Sequence, residues 1–337
     1  MLPDWNDFLA QCGLTAAGDF GDAAAELAAA RDATVLVPLG DLGLIRAGGA
    51  DAADFLHNLL TNDVKHLGRD EVRLAGLCSA KGRLQATFNI WQEGGDFVLA
   101  LSADLLPGIL KKLKLYVLRS KIVLADASGD RALLGLAGNQ AAAALEEIGA
   151  APCKPMQLAA FPGGVAVCLG NDRYLLSVAP GQARDIWSRL STKARPAGLD
   201  AWHWLEVASG VPRVMLATHE TFVPQMVNLE LVGGVSFTKG CYPGQEIVAR
   251  AQYLGKVKRR MYRARLANAA AAGERLYSTL GEDSHCGDLV QVAPSPAGGF
   301  ECLAVLQSTA AAAGPVHVGS IDGTPLALLD LPYGVPD

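Results

Sequence analysis

Two stretches of strand–strand–helix texture, followed by a tail where helical periodicity nearly vanishes, predict an α+β protein with antiparallel sheets and a C-terminal small β-barrel. Half of the 337 residues are apolar and only 19% are charged, which excludes a disordered or coiled-coil chain. At this length two or three domains are expected.

Trp5–Arg31 has helical texture, with Phe8, Leu9 and Cys12 ahead of an alanine-rich stretch that follows Asp22. Thr34–Leu39 and Leu42–Arg46 read as short strands. Asp51 stands where a helix N-cap belongs, before Ala52-Ala-Asp-Phe-Leu-His-Asn-Leu-Leu. Val72–Cys78, Leu84–Trp91 and Phe97–Leu101 read as strands, and Gly94-Gly95 is placed for a hairpin turn between the last two. From Asp104 to Tyr116 the period switches to 3.6, with Leu105, Ile109 and Leu113 on one face. Ile122–Ala125 and Ala132–Ala137 return to strand pattern, and Gln140–Ile148 to helix. The theme then repeats: Val165–Leu169, a turn at Gly170-Asn171-Asp172, Arg173–Val178, and a helix over Gln182–Leu190. Strands at Val257–Leu266, Leu289–Val292, Cys302–Leu306 and Leu326–Leu329 make up the tail. The domains are placed at 1–125 and 126–254, both α+β and free to interleave, and at 255–337 for the barrel.

The formal net charge of −5 provides no global field to attract nucleic acid. Against it stand two basic runs, Lys111-Lys112-Leu-Lys114 with Arg119 and Lys121, and Lys256-Val-Lys258-Arg259-Arg260 with Arg263 and Arg265. Each is either a solvated face or a site for an anionic ligand, an RNA or a protein. Direct RNA readout is not expected from either run. The N-terminus is acidic without a secretory pattern, no apolar run is long enough to span a membrane, and seven cysteines form no framework. These features predict a cytoplasmic protein with free thiols and no membrane partner.

The chemistry-bearing stretch is Asn228–Arg250, NLELVGGVSFTKGCYPGQEIVAR. Gly233-Gly234 turns the chain. Pro243-Gly244-Gln245-Glu246, followed by Ile247, Val248 and Ala249, reads as the first turn of a helix. Cys241 then lies just outside a helix N-terminus, two residues from Lys239. The positive dipole end and the ammonium both favour a thiolate, so an activated, accessible thiol is expected. The competing reading is an ordinary buried cysteine.

This stretch closely resembles the signature of the YgfZ family, folate-binding proteins of iron–sulfur maintenance, through Lys239, Gly240, Cys241, Tyr242, Gly244, Gln245, Glu246 and Arg250. Phe222-Val-Pro-Gln225-Met-Val-Asn228-Leu, Trp202-His-Trp-Leu-Glu-Val-Ala-Ser-Gly210, Leu60-Thr-Asn-Asp63-Val and Ala80-Lys-Gly82-Arg also look like that family. The resemblance implies the fold of the glycine-cleavage aminomethyltransferase, three domains in a ring around tetrahydrofolate. It implies a cytoplasmic accessory protein for assembly or repair of iron–sulfur enzymes, tRNA-methylthiolating ones among them, which indirectly supports tRNA modification. The cofactor is tetrahydrofolate or a derivative, and the partners are folate and iron–sulfur client enzymes. Cys241 and Lys239 take the catalytic positions. Trp202 matches a tryptophan that lines the folate site, where an indole suits a pterin by stacking. Leu42 stands where the family has a second tryptophan. Tyr242, Gln245, Glu246 and Arg250 complete the expected cofactor-binding set.

The aminomethyltransferases carry a catalytic aspartate on the strand after their equivalent of Lys81-Gly82. Here the strand reads Arg83-Leu-Gln-Ala-Thr-Phe-Asn-Ile-Trp91, without a carboxylate, which counts against that transfer reaction. A folate-dependent one-carbon transferase using another acid remains the alternative. Cys78 is expected to be core more than site. His203 and His219 are expected to be structural rather than bases for Cys241. Asp283-Ser-His285-Cys286 mixes metal-ligating types, but no metal site is expected.

Overall fold

The computed structural model describes residues 3–253, 257–278 and 285–336. The chain gathers into two compact units whose segments alternate along the sequence. The first takes the chain up to Ala52, then His66–Arg73 and Asn89–Trp202; the second takes Ala53–Lys65, Leu74–Phe88 and the chain from His203 onward.

The first unit is built on a six-stranded sheet. Its order is Arg195–Pro196, Thr34–Pro38, Ala132–Gly138, Arg173–Val178, Gly164–Gly170 and Leu158–Phe161. All pairings are antiparallel except the short parallel one between Thr34–Pro38 and Arg195–Pro196. Helices Pro3–Gln11, Ala141–Glu147 and Ala183–Leu190 bury Trp5, Leu9, Leu145 and Trp187 against Leu134, Leu136 and Leu176 of the sheet. The N-terminal helical texture resolves into two helices, Pro3–Gln11 and Ala23–Asp32, the second capped by Asp22, whose carboxylate accepts from the Ala25 amide at 2.9 Å.

Both predicted hairpins form, for a local reason. A two-residue loop of type I′ joining twisted strands needs positive φ at both central positions. Gly94 and Gly95 sit at +63° and +90°, and Asn171 and Asp172 at +51° and +52°. Strand Leu84–Glu93 carries the chain between units. From Asn89 onward it pairs with Asp96–Ser102, which pairs in turn with Leu42–Gly48 and then the edge strand Val123–Asp126.

In the second unit the tail forms a seven-stranded sheet. Its order is Thr324–Pro325, Val316–Val318, Arg275–Ser278, His285–Pro294, Phe300–Gln307, Arg259–Leu266 and Ala327–Leu329. The two outer strands are separated in sequence by Leu326 alone, so the sheet curls into a nearly closed barrel around Leu276, Leu289, Cys302 and Leu306. Four cations of the second basic run are paired here. Arg259 faces Asp288 at 3.9 Å, Arg260 pairs with buried Glu230, and Arg263 and Arg265 share Glu301 at 2.5 and 3.8 Å. Lys256 lies outside the described residues. Among the described residues, no helix is long and apolar enough to cross a membrane.

Candidate functional site: the Lys239–Arg250 loop

The second unit gathers three of the motif segments around one loop. Helix Ala52–Leu59 ends, as every helix does, with carbonyls lacking intrahelical donors. Lys239 supplies donors: its Nζ bonds the His57 carbonyl and, at 2.8 Å, the Leu60 carbonyl. The ammonium also lies 4.8 Å from the centre of the Tyr242 ring. Lys239 is buried, and burial pushes its pKa down to about 8 against the opposing pull of Asp63 and Cys241. Tyr242 is buried too, which raises its phenol above the ordinary value.

The Leu60-Thr-Asn-Asp63 motif serves the same loop. Thr61 Oγ1 donates to the Gly234 carbonyl at 2.7 Å and accepts from the Gly76 amide, also at 2.7 Å. Asn62 Nδ2 bridges the carbonyls of Leu74 and Gly233 at 2.8 and 2.7 Å. The Gly233-Gly234 turn is thereby tied to strand Arg73–Cys78 before the chain reaches Lys239. His57 Nδ1 lies 3.1 Å from Asp63 Oδ1, and its Nε2 faces Gly240, where an added Cβ would stand 3.8 Å away. Sequence reasoning missed this His57–Asp63 pair. Asp63 sat in a quoted motif, but nothing local indicated that the histidine six residues earlier would meet it.

The helix expected from Pro243 begins at Gln245 instead. Gly244 adopts φ +79°, a left-handed conformation that cannot belong to a right-handed helix. A Cβ there would lie 2.4 Å from the Ser79 carbonyl oxygen and 2.7 Å from the Gly82 backbone. Gly82 is itself at φ +68°. The Ala80-Lys-Gly82-Arg turn and the Pro243-Gly244 turn therefore pack backbone on backbone, a contact only two glycines permit.

Cys241 emerges exposed from this clamp, four residues ahead of the helix. Cys78 is buried in the same unit, and burial pushes its thiol up to about 12. Gln245 opens the helix, and its amide donates to the Tyr242 carbonyl at 3.1 Å. Glu246 and Arg250 are exposed and pair with each other across one turn at 3.4 Å. His219 Nδ1 is engaged with the Gln85 carbonyl at 2.9 Å. Of the mixed tail segment, Asp283 lies outside the described residues, His285 faces Asp288 at 3.2 Å, and Cys286 is buried. Among the described residues, no three His, Cys, Asp or Glu side chains gather as a metal ion requires.

Residues 7–236 match the family model of the GCVT N-terminal domain. The tRNA-modifying protein YgfZ of Yersinia pseudotuberculosis serotype O:1b is 32% identical over 308 residues, covering 90% of this chain and 93% of that protein. The chain belongs to the YgfZ family. The YgfZ of Yersinia enterocolitica serotype O:8 matches equally, at 32% identity over the same shares. Among solved structures, the glycine cleavage system aminomethyltransferase T from Bartonella henselae superposes with a TM-score of 0.80. That match covers 98% of this chain and 97% of that one at 18% identity, a likeness of fold.

The remaining two expected site residues, Trp202 and Leu42, lie in the first unit. Trp202 is on helix Leu199–Ser209 and only 1% exposed. One face of its indole lies on Gly135, where an added Cβ would come within 2.5 Å of the ring. The Arg173 guanidinium stands 5.9 Å from the ring centre. The indole Nε1–H is buried and meets no hydrogen-bond acceptor among the described residues. Leu42 begins strand Leu42–Gly48, half-buried, opposite Ser102. Trp202 and Leu42 thus belong to one unit, and Cys241, Lys239, Tyr242, Gln245, Glu246 and Arg250 to the other.

Proposed function

We propose that this YgfZ-family chain binds tetrahydrofolate or a derivative and acts in the cytoplasm as an accessory protein for assembling or repairing iron–sulfur enzymes, tRNA-methylthiolating ones among them. Cys241 is its working thiol. One observation carries the reading: Lys239, Tyr242 and Gly244 around Cys241 are buried or closely packed, while the sulfur-bearing residue itself is exposed. Exchange of sulfur, iron or a one-carbon unit needs an accessible sulfur held in one place, and a clamped loop provides that.

Lys239 acts as a positioning residue, because its ammonium is committed to two carbonyls and the Tyr242 ring. The orphaned Trp202 Nε1–H supports folate binding, since a buried donor without a partner is costly until an acceptor arrives. Trp202 would supply that hydrogen bond, with Leu42 of the same unit in apolar contact. Folate, when bound, supplies nitrogen atoms that carry one-carbon units. Calorimetric titration with tetrahydrofolate tests this. Saturable binding is expected, weakened about tenfold in Trp202→Phe, which keeps a ring and loses the donor. Absence of binding to the wild-type chain would overturn the folate assignment.

A further inference from the structure

The first basic run lies beside the densest group of exposed large apolar side chains among the described residues. Nine large hydrophobic residues are exposed among the described residues, and four of them fall within nine positions: Leu115, Tyr116, Leu118 and Val123. Leu118 is 90% exposed and holds φ +42°, a left-handed conformation unfavourable for a leucine. The loop that presents it is pinned. The Ser120 amide donates to the Val117 carbonyl at 2.7 Å, and the Lys121 amide donates to Asp51 Oδ2 at 2.6 Å. A strained residue held with its apolar side chain in water calls for an explanation in binding.

The surroundings indicate what binds. From Leu105 to Ala125 the chain has five cations and no carboxylate, within a protein of net charge −5. Lys111, Lys114, Arg119 and Lys121 are exposed. A cavity of about 680 Å³ is lined by Asp51, Tyr116, Leu118, Arg119 and Ser120. Beside it runs Val123–Asp126, the edge strand, paired among the described residues on one side only, with Leu42–Gly48. An open edge offers backbone donors and acceptors to an extended chain. Lipid and RNA cannot use that edge in register.

We infer that the end of helix Leu106–Tyr116, the loop at Leu118 and the edge strand Val123–Asp126 form a docking surface for an acidic, apolar-containing polypeptide segment that adds as a strand. The segment's carboxylates meet Lys111, Lys114, Arg119 and Lys121, while its apolar side chains cover Leu118 and Val123. This surface lies in the first unit and does not depend on the role of Cys241.

Fluorescence anisotropy with the full chain tests it, using a labelled peptide that alternates glutamate and valine. Binding is expected that weakens with salt, falls about tenfold in Leu118→Glu and in Arg119→Glu, and disappears when the peptide amides are N-methylated. Both side chains are exposed, so the variants should melt with the wild type. The inference is overturned if the acidic peptide does not bind, if the variants bind it undiminished, or if the N-methylated peptide binds as well. It also fails if bulk tRNA or phosphatidylglycerol vesicles, rather than the peptide, lose binding in those variants.

Discussion

Trp202 in the first unit and Cys241 in the second are implied by the same resemblance, and their surroundings are opposite. The indole is buried, with Gly135 against one face and a polar atom left unanswered among the described residues. The cysteine is in the open, while Lys239, Tyr242 and Gly244 around it are buried or closely packed. A motif can therefore mark a position for two reasons. Trp202 is held inside the fold with one donor left to offer, whereas Cys241 is held outside it.

That contrast turns into measurable differences. Trp202→Ala should be the most damaging change, costing about 4 kcal/mol in urea unfolding because a fully buried indole leaves a cavity. Gly244→Ala should cost about 3 kcal/mol, since its Cβ collides with backbone and its φ is left-handed. Gly240→Ala, with only His57 Nε2 at 3.8 Å, should stay within about 0.5 kcal/mol. Equal melting of the two glycine variants would dissolve the backbone-on-backbone packing.

Lys239→Met should cost about 2 kcal/mol by leaving two carbonyls without donors. It also carries a pH signature. The folded-state pKa, about 8, lies below the ordinary 10.5, so the unfolded chain holds the proton more tightly. Wild-type stability relative to Lys239→Met should therefore rise with pH between about 8 and 10.5, and a flat difference would refute the burial assignment. Cys241→Ala should be the smallest change, within about 0.5 kcal/mol. A loss comparable to that of Trp202→Ala would erase the distinction between the two regions.

What could be read from sequence was what neighbours in sequence decide. Gly94-Gly95 and Asn171-Asp172 impose their hairpins by local φ preference, and Ala183–Leu190 shows its buried face by periodicity. Strands Arg275–Ser278 and Val316–Val318 were missed, being too short to carry a pattern. Helix Leu199–Ser209 was missed because apolar residues surround it on most sides. At the site, the residues were legible and their partners were not. Pro243 looked like a helix start, but distant Ser79 and Gly82 force Gly244 out of helical geometry. The donors' acceptors on Lys239 are backbone carbonyls, which no side-chain motif can announce.

The central claim is that the exposed sulfur, and not its buried neighbour, does the work. Cys241→Ala and Cys78→Ala should each be expressed in a strain lacking this protein, at matched levels, and the activity of an iron–sulfur tRNA-methylthiolating enzyme measured. The account expects Cys78→Ala to restore activity and Cys241→Ala to leave it at the level of the empty strain; full restoration by Cys241→Ala would contradict it.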